Sequence, residues 1–255
     1  MLVKQVPDTY SERRLRAADG VLDRDAADAV IDEIDTRGVE VGLQLVEAAG
    51  GEVTVVTMGP ERAGDALRKA LAMGAHRAVH VVDEGLVGSD AMGTSAALAA
   101  ALRTLGPDLI LAGNEASDGK GGAVPAMIAE RLGWPQVTSV RKLEVTGGVL
   151  TAERQLEGGF AEVRASLPAV VSVTEKITEP RYPNFKGIMA AKSKPVTVLG
   201  LADLGVGVAG VGLAGAAAVV VDAAPRPARS AGEKVADDGT GGARIAEYLV
   251  AARLI

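Results

Sequence analysis

The first 140 residues alternate short apolar runs with longer stretches in which apolar residues recur every three or four positions. The runs at 52–58, 78–82 and 108–112 predict buried strands, and the spacing that follows each run predicts a helix with one apolar face. Glycines and Gly-Pro pairs separate these units. Strands that alternate with helices in this way predict an α/β fold, in which crossover helices join the strands of a parallel sheet.

The pattern changes after Trp134 to short segments in which apolar and polar residues alternate. Glycine pairs at 147–148 and 158–159 separate these segments, as expected for hairpin turns. The sequence therefore predicts an additional antiparallel segment after the parallel sheet. Its predicted strands, with the apolar run that follows them, are residues 137–145, 149–155, 161–165 and 169–173.

From about residue 196 onward the chain loses helix and strand periodicity, and only residues 244–254 again show the spacing of an amphipathic helix. A long irregular segment in a compact protein usually lies on something, and that something can be another chain. We therefore predict an α/β domain at 1–195 and an extended C-terminal arm at 196–255 that packs on a partner.

Composition and charge exclude several classes of function. The chain has 255 residues, 48% of them hydrophobic, which is enough to bury the core of one large domain. Its net charge of −6 argues against a nucleic-acid partner, because such binding needs clustered Lys and Arg. The chain has no cysteine and only two histidines, His76 and His80, which argues against a hydrolase triad and a zinc site. Both histidines are interpreted as structural or exposed, and no metal ligands are predicted.

The N-terminal sequence MLVKQVPDT has no basic segment followed by a long apolar stretch, so we expect a cytoplasmic protein without a secretion signal. Residues 204–221 form an uncharged run of eighteen residues. This run is mostly Gly and Ala and is bounded by Asp203 and Asp222, where a membrane span would have aromatic or basic anchors. We therefore predict no membrane insertion.

The sharpest local signal is GNEASDGKGGAVPAM at 113–127, which lies between a predicted strand and a predicted helix. Ligands of open parallel sheets collect beyond the carboxyl ends of strands, and free amides at a helix N-terminus favour a phosphate. The loop is not a P-loop, because five residues rather than four separate Gly113 from Gly119-Lys120, and Gly121 replaces the Ser or Thr that would bind magnesium. The alternative interpretation is a flexible loop without a ligand.

Two further patterns have simpler interpretations. Gly205, Gly207 and Gly210 match G-x-G-x-x-G, but no strand and helix flank them in the sequence, so we interpret the match as coincidence. The acidic residues between Asp23 and Asp35 could bind a cation. Their spacing instead predicts the solvated side of a helix whose other side carries apolar residues. These apolar residues are Ala27, Val30, Ile31 and Ile34.

Several stretches, spread over nearly the whole chain, carry a more specific signal. They are VKQVPDT at 3–9, LRKALAMGAHRAVHV at 67–81, DLILAGNEASDGKGGAVPAM at 108–127, RQLEGG at 154–159 with LPAVVSV at 167–173, and TEPRYPNFKGIMAAKSKP at 178–195. On these stretches the chain resembles the β subunit of electron transfer flavoproteins. The last stretch is the most specific, because no general structural rule demands it.

The resemblance implies a Rossmann-like fold of the adenine nucleotide α-hydrolase type in a heterodimer with a larger α subunit. That α subunit would hold most of one FAD per heterodimer, while this chain buries one AMP that does no redox chemistry. FAD would take electrons from flavin dehydrogenases of the acyl-CoA dehydrogenase type, as in fatty acid oxidation, and pass them to a quinone oxidoreductase or another acceptor. The chain itself would be an electron carrier subunit, not an enzyme, with no catalytic acid, base or nucleophile.

By motif, the resemblance places AMP contacts near the N-terminus, in the acidic cluster, at the end of the 52–58 strand and along the glycine-rich loop. The residues are Leu2, Asp32, Glu33, Ile34, Asp35, Met58, Ala116, Ser117, Asp118, Gly119, Lys120, Gly121, Gly122, Ala123, Val124 and Met127. At 32–35 this chain reads DEID where many relatives have an Asn-Pro pair. Carboxylates there would repel phosphate unless only their backbone contacts it, and Lys120 would offset the phosphate charge.

The resemblance also implies a recognition loop, residues 178–190, that docks on a dehydrogenase. Pro180 and Pro183 would limit the freedom of the unbound loop and keep it from forming helix or strand, and Phe185 would anchor in a pocket of the partner, where relatives often have Leu. The alternative is that the aromatic side chains of this loop cover their own domain. The predicted docking residues are Glu179, Arg181, Tyr182, Phe185, Ile188 and Met189.

Two departures from the family pattern affect these expectations. Gln155 stands where many relatives have an acidic residue, which puts in doubt a contact that steers the mobile flavin domain. Only two residues precede VKQV, so we expect the natural chain to begin a few residues earlier. The alternative to the electron-transfer function is a stand-alone enzyme or stress sensor that uses an adenine nucleotide at 113–127.

Overall fold

The computed structural model describes residues 1–207, 210–224, 227–228, 232 and 234–255. It contains two compact units, Met1–Val221 and Asp222–Ile255. The strands are β1 (Gln5–Pro7), β2 (Ala29–Ile31), β3 (Thr54–Met58), β4 (Arg77–Val81), β5 (Leu109–Gly113), β6 (Gln136–Thr146), β7 (Val149–Leu156), β8 (Gly159–Ser166), β9 (Ala169–Val173) and β10 (Val196–Leu199). The α-helices are α1 (Glu33–Ala49), α2 (Gly64–Met73), α3 (Ala91–Leu105), α4 (Val124–Leu132), α5 (Phe185–Ala191), α6 (Leu201–Leu204) and α7 (Gly241–Ala251).

The larger unit is built on parallel strands. One group has the order β10-β4-β3, with every pairing parallel. The other has the order β5-β9-β6-β7-β8, in which β5, β9 and β6 pair in parallel and β6, β7 and β8 pair antiparallel. The N-terminal segment joins the two groups, because Leu2 forms a parallel bridge with Val56 and donates its N–H to the carbonyl of Leu111. The predicted α/β fold, with an added antiparallel segment, is confirmed.

Helices cover both faces of these strands, and each face has its own apolar core. One core contains Val39 and Leu43 of α1 with Leu67 and Leu71 of α2. The other contains Leu98 and Leu102 of α3 with Ile128 of α4. Buried aliphatic side chains on both faces explain why the strand segments read as nearly continuous apolar runs in the sequence. The helices thus cover the faces of the sheet, and the loops at the carboxyl ends of the strands remain as the place where a ligand can bind.

The predicted helix across the acidic cluster at 23–35 is wrong. Residues 29–31 form β2, which pairs antiparallel with β1, and α1 begins only at Glu33. Asp32 is the N-cap of α1, because its side chain accepts a hydrogen bond from the N–H of Ile34 at 3.0 Å. Aspartate is preferred at N-cap positions, where its side chain accepts a hydrogen bond from the first turn of a helix. Asp32 therefore marks the point just before α1 and does not lie within a longer helix.

The chain after residue 195 is less irregular than predicted. Residues 196–199 form β10, which pairs in parallel with β4, and α6 follows it. The compact unit ends at Val221, so the structural boundary lies later than the predicted boundary at 195/196. A four-residue strand with exposed positions is too short for sequence periodicity to reveal, because its pairing comes from the neighbouring strand.

Two further predictions concern residues 204–221. Positions 208 and 209, inside the G-x-G-x-x-G match, lie outside the described residues, as do five positions between 225 and 231. Among residues 211–224 no α-helix follows the glycines, as the interpretation of coincidence expects. Across the described part of the chain, no helix is both long enough and apolar enough to cross a bilayer.

Candidate nucleotide and docking sites

The glycine-rich loop lies at the carboxyl end of the parallel strand β5 and leads into α4. Helix α4 begins at Val124 with Ala123 at its N-cap position, no side-chain cap, and a proline in the first turn. The first backbone N–H groups of a helix have no partner inside the helix, and without a cap they are free to bind an anion. The predicted loop-to-helix geometry is therefore present.

Two side chains of the loop bury polar atoms that have no partner. Asn114 Oδ1 and Ser117 Oγ are both buried, and neither forms a hydrogen bond with any described residue. A buried polar atom without a partner costs about 1–3 kcal/mol, so such atoms usually have a water or a ligand as partner. The residues present thus fit a polar ligand such as a nucleotide at this loop.

The glycines of the loop leave open space around the backbone. A Cβ atom added at Gly119 or Gly121 would meet no atom within 4 Å, so packing inside the chain does not require glycine there. Gly122 has φ +62°, and Lys120 has φ +49°, which is unusual for a residue with a side chain. An uncrowded backbone with turns of this kind leaves room for a ligand to approach the loop amides closely.

Two aspartates at the start of α1 hold the loop and the neighbouring strand ends in place. The second carboxylate oxygen of Asp32 accepts the N–H of Ser117 at 2.8 Å. The carboxyl of Asp35 accepts the N–H of Lys4 at 2.7 Å and the N–H of Gly113 at 3.0 Å. Both side chains therefore bind backbone amides of their own chain.

A third aspartate fixes the loop to the N-terminal part of the chain. The side chain of Asp118 is only 2% exposed and forms ion pairs with Lys4 at 2.7 Å and with Arg24 at 2.9 Å. Burial by itself raises the pKa of Asp118, but these two cations outweigh it and hold the pKa below its ordinary value. Since Asp118 is internally neutralised, it does not add an uncompensated negative charge to the loop.

The other predicted nucleotide contacts occupy varied positions. Leu2 is buried beside the β3 and β5 strands, Met58 ends β3 half-buried, and Ile34 lies beside Gly113. The Glu33 side chain is exposed and pairs with Arg37 at 3.6 Å. The carboxyl groups of residues 32–35, which could repel a phosphate, thus bind backbone amides in Asp32 and Asp35 and lie exposed beside an arginine in Glu33. Whether these residues contact AMP stays a prediction.

The buried Asp35 carboxyl makes a pH-dependent contribution to stability. Burial and the neighbouring Asp32 carboxylate raise the pKa of Asp35 from 3.8 to about 8. Between these values the folded chain keeps a proton at Asp35 that the unfolded chain releases. This contribution to the free energy of unfolding is therefore complete below about pH 4 and is lost as the pH rises through about 8.

We expect the melting temperature of the wild-type chain to fall more steeply, or to rise less, between about pH 4 and pH 8 than that of Asp35→Asn. The asparagine cannot titrate, so this source of pH dependence disappears in the variant. Thermal unfolding followed by circular dichroism at several pH values measures the difference. Parallel pH curves for the two proteins would contradict the shifted pKa of Asp35.

The recognition loop is partly helical, which corrects the prediction that its prolines exclude helix. Helix α5 begins at Phe185, directly after Pro183 and Asn184, and the Asn184 side chain accepts the N–H of Gly187 at 2.8 Å. Pro180 and Pro183 both precede the helix, where proline is tolerated. The sequence does carry the signal of this helix, an Asn N-cap followed by apolar residues at 185, 188 and 189.

The predicted docking residues divide into two groups. Tyr182 is 94% exposed and Phe185 is 79% exposed, with Ile188 and Met189 also exposed on α5. This arrangement contradicts the alternative in which Tyr182 and Phe185 cover their own domain. Large apolar side chains clustered on a surface are typical of a binding site. The Glu179 and Arg181 side chains instead form ion pairs with α1.

Sequence reasoning missed the residues that hold these sites from outside them. Lys4 and Arg24 bind the glycine-rich loop, and Glu40 binds the recognition loop. Glu40 lies between the buried residues Val39 and Val41 on α1, and a carboxylate at such a position needs a cationic partner. That rule would have predicted a partner for Glu40, but not which one. Among the described residues no group of three His, Cys, Asp or Glu side chains could hold a metal ion.

Comparison with known proteins places the chain in a family. A family model described as Electron transfer flavoprotein domain matches residues 19–204. Proteins named electron transfer flavoprotein subunit beta from Mycobacterium bovis and Mycobacterium leprae are each 56% identical over 261 aligned positions, which cover 100% of this chain and 98% of the relative. A protein of the same name from Bacillus subtilis is 38% identical over 205 positions, 80% of this chain and 79% of the relative. The chain therefore belongs to the electron transfer flavoprotein family, in its β-subunit branch. The predicted family membership, and with it a role in electron transport by a flavoprotein, is confirmed.

Proposed function

We propose that this chain is the β subunit of a heterodimeric electron transfer flavoprotein that carries one FAD and one structural AMP. FAD, held mostly by the α subunit, supplies the redox chemistry. The heterodimer would take electrons from flavin dehydrogenases of the acyl-CoA dehydrogenase type and pass them to a quinone oxidoreductase or another acceptor. This chain contributes a scaffold, an AMP site and a docking surface, and it works in the cytoplasm.

The observation that carries the AMP part is the pair of orphaned polar atoms in the glycine-rich loop. Asn114 Oδ1 and Ser117 Oγ are buried without partners, and the uncapped N-terminus of α4 follows in the same loop. A nucleotide would satisfy the orphaned atoms, and its phosphate would bind the helix amides. Lys120 is exposed in the loop and would balance the phosphate charge.

The C-terminal arm supports a heterodimer. Helix α7 has no buried residue, and Ile245, Tyr248 and Val250 are all exposed on it. A helix that leaves these apolar side chains exposed gains stability when another surface covers them. We assign this helix to contacts with the α subunit, whereas residues 196–199 belong to the α/β unit through β10.

Release of bound cofactors tests the proposal. The chain is purified alone and together with its α subunit, each sample is denatured, and the released AMP and FAD are measured by chromatography. We expect one AMP per chain in both samples and stoichiometric FAD only in the pair. Absence of AMP from the pair, or ATP turnover by the chain alone, would reject the proposal and favour a stand-alone nucleotide-using enzyme or sensor.

A further inference from the structure

The recognition loop is attached to the α/β unit at two points, one on each side of its exposed apolar residues. The first point is residues 178–181, which lie against α1, and the second is the end of α5 with residue 194, which lies against α2. The exposed Tyr182 and Phe185 lie between these points. The loop is therefore held before any partner arrives.

Arg181 makes the first attachment with five hydrogen bonds to two carboxylates of α1. To Glu40 it donates from its backbone N–H at 3.1 Å, from Nε at 2.7 Å and from Nη2 at 3.0 Å. To Glu47 it donates from Nη1 at 2.6 Å and from Nη2 at 3.0 Å. All three guanidinium nitrogens thus donate inward to α1, so Arg181 is poorly placed to bind a partner directly.

Glu40 makes this attachment costly to break. It is only 5% exposed, and its other hydrogen bond comes from Gln44 Nε2 at 2.9 Å. Burial raises the pKa of Glu40, but the bonds from Arg181 outweigh burial and lower it below its ordinary value. If Arg181 moved away, the buried Glu40 carboxylate would be left without a compensating charge. This cost strongly favours the state in which Arg181 and Glu40 are paired.

Neighbouring residues support the same geometry. Arg37 Nη1 donates to the carbonyl of Thr178 at 2.7 Å and to Glu179 at 2.8 Å. At the second attachment Lys194 Nζ donates to the carbonyls of Leu71 and Ala75, at the C-terminal end of α2. Helix α5 approaches α2 so closely that a Cβ atom at Gly187 would lie 2.4 Å from the carbonyl oxygen of Ala72.

We propose that Arg181 is a positioning residue, which through Glu40 and Glu47 holds the recognition loop in the conformation that the dehydrogenase binds. A loop that is ordered in advance loses less conformational entropy on docking, and this advantage appears in affinity. The inference rests on the proposed docking function. It reassigns Arg181 from a partner contact, as its motif position implied, to an internal support of the residues that make contact.

The test measures steady-state reduction of the intact FAD-loaded heterodimer by a flavin dehydrogenase. For Arg181→Met we expect the KM for the heterodimer to rise about tenfold while kcat and the FAD content stay unchanged. Arg181→Lys keeps the charge but loses the fork of parallel hydrogen bonds, so its KM should lie between those of the wild type and Arg181→Met. A KM equal to that of the wild type in Arg181→Met, or a loss confined to kcat, overturns the inference.

A milder variant guards against misfolding of Arg181→Met. Glu47 is half-exposed, so Glu47→Gln should leave the fold intact and raise the KM by a smaller factor. Because both changes break one contact, the double variant should raise the KM by less than the product of the two single effects. Fully multiplicative effects would show that the pair does not act as a unit and would overturn the inference.

Two controls separate this inference from the proposed function. Arg77→Met removes an arginine that pairs with Glu52 at 2.8 Å and bonds Thr54, both outside the recognition loop, and should leave the KM unchanged. Phe185→Ala, measured in the same assay, tests docking itself. If only Phe185→Ala raises the KM, docking stands and the Arg181 inference fails. If neither variant changes it, both fail.

Hydrogen exchange gives a readout that general destabilisation does not produce. In Arg181→Met we expect faster amide exchange in residues 178–190, with the rest of the α/β unit unchanged. Uniformly faster exchange would instead indicate a merely structural role and would overturn the inference.

Discussion

Replacing Phe185 with alanine is expected to slow electron uptake from a flavin dehydrogenase by about thirtyfold. A central aromatic anchor commonly contributes 2 kcal/mol or more to binding, and about 1.4 kcal/mol corresponds to a factor of ten. Phe185 is 79% exposed on the first turn of α5, so the free subunit gains little from it. The measurement is the second-order rate constant for FAD reduction in the heterodimer, followed by absorbance in a stopped-flow instrument.

Tyr10→Ala is the matched control for Phe185→Ala. Tyr10 is an aromatic residue that is 99% exposed and lies outside the recognition loop. Its removal should leave the rate constant unchanged, and both variants should retain AMP and FAD. An unchanged rate constant in Phe185→Ala would reject the assignment of Phe185 as the anchor, because removal of an anchor must weaken docking.

Asp32→Ala is expected to lower the free energy of unfolding by about 3 kcal/mol and to release the bound AMP. The variant removes the N-cap of α1, which typically costs about 1 kcal/mol, and leaves the N–H of Ser117 without its partner, which costs about 1–3 kcal/mol more. Since Ser117 lies in the glycine-rich loop, the middle of the loop also loses its hydrogen bond to the start of α1, and only the bond from Gly113 to Asp35 remains. Urea unfolding and AMP quantification measure the two effects.

Asp90→Ala is the matched control for Asp32→Ala, because it removes a helix N-cap without removing a contact to the glycine-rich loop. Asp90 caps α3 through the N–H of Gly93 at 3.0 Å and also accepts the N–H of Ala217 at 2.8 Å, but it binds no residue of the glycine-rich loop among the described residues. We expect this variant to be less stable than the wild type and to keep its AMP. If Asp32→Ala retained AMP as firmly as Asp90→Ala, Asp32 would have no part in shaping the nucleotide site.

Helix α1 connects the two candidate sites. Its N-cap residue Asp32 holds the glycine-rich loop, and Glu40 and Glu47 further along the helix hold the recognition loop. Both loops therefore depend on the placement of one helix against the sheet. The buried carboxyl groups of α1, Asp35 and Glu40, accordingly bind donors of their own chain.

Local sequence pattern was sufficient for most of the scaffold. The strands β3, β4, β5 and β9 and the helices between the first three are encoded in apolar periodicity and glycine stops, which depend on neighbouring residues only. The glycine-rich loop was also predictable, because its position after a strand and before a helix decides what it can bind. Helix α5 was also encoded locally, by the Asn184 N-cap and the apolar residues that follow it. The prediction missed this helix because the two prolines before it were interpreted as excluding helix.

The sequence alone determined the α/β fold, the glycine-rich loop and the stretches that resemble the family. Only the tertiary structure decided what the acidic residues do. Asp35 meets the N–H of Gly113 across 78 positions, Asp32 meets Ser117 across 85, and Arg181 meets Glu40 across 141. Periodicity reports which side of an element is buried, but a carboxylate binds whichever donor the fold brings to it, and that donor is set by the packing of distant segments.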